Sequence, residues 1–282
     1  MIIDSHCHAW TYWPYEPPVP DPHTRGVAGQ LLNQMDLNQV AQALVVCAQI
    51  DHNPDNNAYI AAERARYPGR IHQLVDLDSE WSQTYHTPGA AGRLREMAKR
   101  WPIAGFTHYL SPKDDGSWLL SPDGMDLLQT AADLHLLVSL SSNPDHQVAI
   151  RAAAERFPSV PFLVHHMGYV RLGKGTLEEN VQEVLKSARV PNIYIKLSGF
   201  AYTSAVEWEY PYADTAWVVR AEYEHFGAQR MCWGSDYPVV GFYMTYRQAL
   251  EAFRSHCGFV SPEDKELILG GTLARLLECG GD

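Results

Sequence analysis

The chain has 282 residues, 46% of them hydrophobic, and 33 acidic against 22 basic side chains give a net charge of −11. That balance excludes nucleic acid and anionic membrane as partners, since both recognise a basic footprint. No apolar run approaches the ~20 residues of a membrane span, and Asp4 interrupts the one apolar stretch at the N-terminus, so no secretory leader is read and a cytoplasmic protein is expected. The five cysteines (Cys7, Cys47, Cys232, Cys257, Cys279) are odd in number and lack a Cys-x-x-Cys spacing, which reads as reduced thiols.

The first predicted element is a short buried strand, Ile2-Ile3-Asp4, running into His6-Cys7-His8. On extended backbone residues i and i+2 share a side, so both imidazoles face one spot beyond the strand while Cys7 points away and packs. Residues 9–27 then form a loop with Trp10, Tyr12, Trp13 and Tyr15 among five prolines. The second apolar run is Ala43–Cys47, followed by a helix from Asn57 to Tyr67 that Pro68-Gly69 ends. Ile71–Leu77 is the third run, and its loop, 78–92, holds Trp81, Tyr85 and His86. Ile103–Phe106 is the fourth, with His108, Tyr109 and Trp118 in the loop 107–121.

Ser121-Pro122-Asp123 opens a helix running to His135, with proline at its first position. The fifth run, Leu136–Leu140, is followed by Asn143-Pro144-Asp145, which starts a helix over 148–157 in the same way. The sixth run is Phe162–His166 and the seventh Ile193–Leu197, whose loop 198–214 carries Phe200, Tyr202, Trp208, Tyr210 and Tyr212. Met231–Trp233 is the eighth. Ser261-Pro262-Glu263-Asp264 starts a last helix with Leu267, Ile268, Leu273, Leu276 and Leu277 on its apolar side.

Near-continuous apolar strands covered on both faces imply a parallel sheet. Eight strand–helix units imply closure, so the fold class expected is α/β, a single distorted (β/α)8 TIM-type barrel over residues 1–282 with long strand-to-helix loops. An open doubly wound sheet would favour a glycine-rich turn after its first strand, where this chain has His-Cys-His.

In such a barrel the strand ends converge at one mouth. The sixth run ends His165-His166-Met167-Gly168, and alternation sends one ring inward and the other between strand and helix; His166 is assigned the inward position. The eighth run delivers Asp236. His6, His8, His166 and Asp236 form a donor set suited to one divalent ion, zinc above the oxygen-seeking Mg²⁺ and Ca²⁺. Asp236 can serve both as ligand and as base for a water. Lys196, near the end of the seventh run, either binds an anionic substrate group or pairs with a carboxylate. The aromatic loops suggest a pocket for a small organic ring, with Trp10 on its wall and Lys196, His108 or Tyr202 fixing polar substituents.

His6-Cys7-His8, His166-Met167-Gly168, Lys196-Leu197-Ser198-Gly199 and Trp233-Gly234-Ser235-Asp236-Tyr237-Pro238, in this order at strand ends, resemble the amidohydrolase superfamily. The nearest branch is the amidohydrolase-related group of sugar-lactone and pyrone-dicarboxylate lactonases, beside carboxymuconate-semialdehyde and resorcylate decarboxylases. The resemblance implies a distorted eight-stranded barrel with metal or catalytic positions at His6, His8, His166 and Asp236. It also admits lactone opening without metal, the same histidines donating hydrogen bonds. Three departures narrow it. The bridging lysine or glutamate of two-metal members is not evident on the fourth or fifth run. The position of the decarboxylases' catalytic histidine on the strand after the His-Xaa-Gly turn holds Lys196. Thr107-His108 stands where pyrone-dicarboxylate lactonases keep an arginine for a carboxylate.

The expected function is a hydrolase that opens a lactone or related cyclic ester, with Asp236 activating water and His166 assisting. The alternative is a metal-dependent lyase, a decarboxylase or hydratase, acting on an unsaturated or aromatic acid. The expected partner is a small-molecule substrate, and the sequence leaves a homo-oligomer open.

Overall fold

A computed structural model describes residues 1–279 of the chain. Eight parallel strands pair strictly in chain order: β1 (Ile2–Cys7), β2 (Val40–Cys47), β3 (Ile71–Asp76), β4 (Gly105–Tyr109), β5 (Leu137–Ser141), β6 (Phe162–Val164), β7 (Ile193–Leu197) and β8 (Met231–Trp233). Six helices fall in the connections from β1 to β7: α1 (Ala28–Leu37), α2 (Asn56–Arg66), α3 (Ala90–Arg100), α4 (Pro122–Asp133), α5 (Gln147–Arg156) and α6 (Leu177–Leu185). The short α7 (Phe200–Thr203) and α8 (Ala216–Phe226) follow β7, and α9 (Tyr246–Arg254), α10 (Pro262–Glu266) and α11 (Thr272–Cys279) follow β8. Every expected apolar run overlaps a strand. However, β4 starts two residues late and takes in Thr107, His108 and Tyr109, which were expected in its loop, and β6 ends at Val164 before the two histidines. The sheet curls into a nearly closed (β/α)8 barrel. The last three residues of the expected span 1–282 lie outside the described residues.

Local signals act as the sequence suggests. The Ser121 hydroxyl accepts from the Gly124 backbone at the start of α4, with Pro122 at the first helical position. Asn143 caps the 3₁₀ turn Pro144–His146 that leads into α5. The last helix departs from expectation: a π turn at Leu267–Gly271 separates α10 from α11. The chain there lies so close to the start of β1 that a Cβ on Gly270 would sit 2.3 Å from the Met1 carbonyl oxygen. Glycine is what the contact tolerates.

Two apolar layers follow from strand alternation. Val45, Val75, Phe106, Val138, Phe162 and Ile195 face the helices and pack with Leu31, Ile60 and Leu94. Ile3, Leu44, Val46, Leu74, Leu137 and Leu163 fill the lower barrel, which Leu273 and Leu276 of α11 plug from below. Each such side chain contributes roughly 1.5–3 kcal/mol by leaving water. Cys7 joins the outer layer, as expected, and Cys7, Cys47, Cys232 and Cys257 are free thiols.

The ring closes between β8 and β1 through side chains and the loop after β8. Ser5 Oγ donates to the Cys232 carbonyl at 3.1 Å, Asp236 N to His6 O at 2.7 Å and His8 N to Tyr237 O at 2.6 Å. Buried Asp4 accepts from Ser235 N at 2.9 Å, Ser235 Oγ at 2.5 Å and Tyr246 Oη at 2.9 Å. A register shift between Asp4 and Cys7 breaks the strict alternation of β1, a bulge of the kind found beside active sites. The seam therefore fixes His6, His8 and Asp236 relative to one another.

Candidate active site

Alternation on the strands decides which side chains enter the upper barrel. Leu163 lies in the inner layer, so His165, two residues on, enters as well. Its ring centroid is 4.5 Å from that of His6. His166 would then face outward, but φ is positive at all four residues His166 to Tyr169 (45°, 53°, 72° and 47°), and this left-handed turn swings its ring back. The His166 centroid lies 4.3 Å from His6. The expectation of one inward ring is corrected: both enter, because the backbone stops being a strand between them.

Around the carboxylate of Asp236 the nitrogens converge. Oδ1 lies 3.5 Å from His6 Nε2, 3.5 Å from His8 Nε2 and 3.9 Å from His166 Nε2. All four side chains are buried. Asp236 itself has φ +60°. Non-glycine residues in this region cost ~1–3 kcal/mol each and cluster where function holds them.

The donor set fits a metal ion on three counts. His8 Nδ1 donates to the Val46 carbonyl at 2.9 Å, which leaves Nε2 its lone pair. His6 Nε2 is buried without a hydrogen-bond partner. Ligand atoms around a tetrahedral ion with ~2.0–2.1 Å bonds stand about 3.3 Å apart. His6, His8 and Asp236 come near this, with Oδ1 3.5 Å from each imidazole nitrogen, and His166 stands farther off at 3.9 Å, grouped with His6 and His165. Burial holds the His6 imidazolium well below its usual range and brings His166 down to about 4, the Asp236 charge opposing the latter shift. Both rings are neutral at neutral pH, as ligands must be. For Asp236 burial pushes the carboxyl up, but His166, His8 and the Tyr202 hydroxyl outweigh it and leave the group below its usual value.

The other expected site residues divide. Tyr202 is at the site, its hydroxyl donating to Asp236 Oδ2 and its ring on the cavity wall. Trp10 is fully buried, stacked on His8 at 4.9 Å with Nε1 donating to Ala48 O at 2.8 Å, and so backs His8 instead of lining the cavity. Lys196 points inward but too deep. It lies under His6, with Nζ 3.4 Å from His6 Nδ1 and donating to Ser139 Oγ at 2.8 Å, and burial lowers its ammonium to about 7. His108 shares the parity of Phe106 and leaves the barrel interior. It bonds the Leu77 carbonyl at 2.9 Å and stacks with His86 and Trp118.

The cavity above the histidines holds ≈ 290 Å³ and is walled by Tyr15, Trp81, Tyr109, Tyr169 and Tyr202. That is the lower end of ligand-site sizes and suits a single small ring. Its charged groups are Asp236 and Asp51, and among the described residues no lysine or arginine stands on its wall. Sequence reasoning missed Asp51, Tyr169 and the part Tyr109 plays. Parity would have found Tyr109, one residue beyond the outward His108; nothing local marks Asp51. A larger groove of ≈ 630 Å³, lined by Arg93, Met97 and Trp101 among others, contains none of these histidines.

The family described as Amidohydrolase matches residues 3–278. The chain belongs to the amidohydrolase family. It is 27% identical to L-fucono-1,5-lactonase from Burkholderia ambifaria over 287 aligned residues, covering 95% of this chain and 92% of the relative. It is 26% identical to 4-sulfomuconolactone hydrolase from Hydrogenophaga intermedia over 197 residues, 68% of this chain and 59% of that enzyme. Among solved structures the fold matches a probable 2-pyrone-4,6-dicarboxylic acid hydrolase from Acinetobacter baumannii with citric acid bound, at TM-score 0.79 and 21% identity over 98% of this chain and 99% of that one. An amidohydrolase from Burkholderia multivorans with bound zinc matches at TM-score 0.76 and 18% identity over 99% of both chains.

Proposed function

We propose that this amidohydrolase opens a small, uncharged lactone by activated-water attack. One divalent ion, zinc, is held by His6, His8, His166 and Asp236. The observation that carries the reading is the ring of three imidazole nitrogens around one carboxylate oxygen, at 3.5, 3.5 and 3.9 Å, on the floor of a ring-sized aromatic cavity. The lactone-hydrolysing relatives support lactone opening, and the absence of lysine and arginine from the described cavity wall supports an uncharged substrate.

An ion bound there supplies Lewis acidity, polarising the ester carbonyl and lowering the pKa of a nearby water. The chain's own residues do the rest. Tyr202 holds Oδ2 of Asp236 by its hydroxyl, which leaves Oδ1 turned toward the histidines. Asp236, ionised because its neighbours outweigh its burial, accepts the water proton as oxygen attacks the carbonyl carbon. The bond to the ring oxygen then breaks, and Asp236 returns the proton to the departing alkoxide. That oxygen stays tethered in the product, a hydroxy acid, so one residue serves both halves of the reaction. The lyase alternative lacks this economy: it requires a proton donor for a carbanion, and Lys196 lies beneath His6, off the cavity wall.

The test is a pH-indicator screen of neutral lactones against metal-analysed protein. Acid release with about one zinc per chain, falling on chelator dialysis and returning with zinc, is expected. Full activity in metal-stripped protein would remove the ion and leave the histidines as hydrogen-bond donors. Release of CO₂ from aromatic acids with no lactone opened would overturn the reading.

A further inference from the structure

Asp51 is an exposed acid in the loop after β2, and it lines the catalytic cavity. Its backbone is left-handed, φ +32°, a conformation that costs a non-glycine residue energy. Among the described residues its carboxylate enters no ion pair with Lys, Arg or His. Its carboxylate therefore stands in solvent at the edge of the cavity with no cationic side chain holding it.

The loop that carries it is clamped on both flanks. Before it, Ala48 O accepts from Trp10 Nε1 at 2.8 Å and Asn56 Nδ2 at 3.3 Å, and Gln49 N donates to Asp76 Oδ2 at 2.7 Å. After it, buried Asn53 is stapled to the loop after β1. Its Nδ2 donates to Tyr12 O at 2.8 Å, while its Oδ1 accepts from Tyr12 N at 3.1 Å and Thr11 Oγ1 at 3.3 Å. A carboxylate on a braced loop is pre-organised to meet a ligand without an ordering cost.

We infer that Asp51 is a specificity-determining residue: it accepts hydrogen bonds from hydroxyl groups of a polyhydroxylated, uncharged lactone and excludes lactones bearing carboxylate or sulfonate groups. This rests on the lactonase reading above. An ionised carboxylate is an acceptor only, with lone pairs enough for two neighbouring hydroxyls. The aromatic walls present flat apolar faces to the C–H face of such a ring, and among the described residues no lysine or arginine on the wall pairs with a substrate anion placed beside Asp51, away from the ion on the floor. A bare lactone ring gives Asp51 nothing to bind, and an anionic one meets repulsion at close range.

The experiment compares kcat/KM for glucono-1,5-lactone, δ-valerolactone and 2-pyrone-4,6-dicarboxylate in the parent, Asp51→Asn and Asp51→Gly. Glycine accepts the positive φ, so that variant keeps its fold, checked by an unchanged or raised Tm. The parent's preference for the hydroxylated over the bare ring is expected to fall by about 10- to 100-fold in Asp51→Gly, through KM more than kcat. Asp51→Asn is expected to lose less of that preference and to gain on the dicarboxylate. An unaltered preference in both variants, or a parent that favours the dicarboxylate, would overturn the inference. A parent that opens none of these lactones or a wider neutral panel would instead refute the lactonase reading beneath it.

Discussion

The barrel interior has two halves built from the same strands and the same alternation, and they are opposites in chemistry. Below, Ile3, Leu44, Leu74, Leu137 and Leu163 fill the space with hydrocarbon, and α11 closes the floor. Above, His6, His165, Lys196 and Ser139 occupy the next turn of the same inward positions, all fully buried and joined by hydrogen bonds. Ser139 links the two deeper groups, 2.7 Å from His165 Nε2 and 2.8 Å from Lys196 Nζ. Burying such groups without partners is costly, and each partner missed shows up as strain or as a site waiting for a ligand. The lower half stabilises; the upper half is stabilised by it and spends that stability on geometry.

The comparison breaks most sharply at Asp236. Asp236→Asn keeps the shape and removes the proposed base, so kcat should fall by about 10²–10⁴-fold while Tm holds or rises, measured by steady-state kinetics beside thermal melting. Retention of near-parental turnover would move the base elsewhere. The mirror experiment is Leu163→Ala in the lower half. A cavity there should cost ~2–5 kcal/mol in denaturant unfolding, with kcat per folded molecule within a few-fold of the parent. A large loss of kcat at full folding would show that the two halves are not separable.

Glu222 on α8 sharpens the distinction, because it is a buried polar group outside the site. Its carboxyl oxygens have no hydrogen-bond partner, and burial raises its pKa well above 4.5. The folded protein thus keeps a proton that the unfolded chain releases above about pH 4.5, so this group's effect is to lower stability as pH rises from there toward the folded pKa. Glu222→Gln removes that slope. The variant should gain on the parent by up to ~1.4 kcal/mol per pH unit over that interval. Denaturant titrations at several pH values check it, and parallel stability curves would contradict it. The smallest effect is expected at Trp10, which backs His8 from outside the cavity. Trp10→Phe should lower kcat/KM about 10-fold and weaken retention of the proposed metal ion, as loss of support behind a ligand does. An unchanged affinity for added zinc would show that the stack is packing alone.

The sequence by itself determined the barrel and half of its site. Eight apolar runs with helical spacers leave few other solutions, because a parallel strand must be covered on both faces. His6 and His8 were legible because two residues of extended backbone put side chains on one side whatever surrounds them. Asp236 and His166 were legible as polar residues at strand ends, where the barrel builds its mouth. What only the tertiary structure decided is depth and handedness. Lys196 has the right parity and the wrong height, since how far a side chain sits below the mouth depends on the register between strands. His108 was placed by its loop neighbours, whereas its parity with Phe106 sends it outward. His166 reaches the site through a left-handed turn that a sequence with a single glycine does not announce. Asp51 reaches the cavity on a loop that Asn53 ties to the distant loop after β1. Alternation is a local property of the backbone and can be read along the chain. Register, reversal of handedness and loop-to-loop contact are set by residues far apart in it, and those are fixed only when the barrel closes.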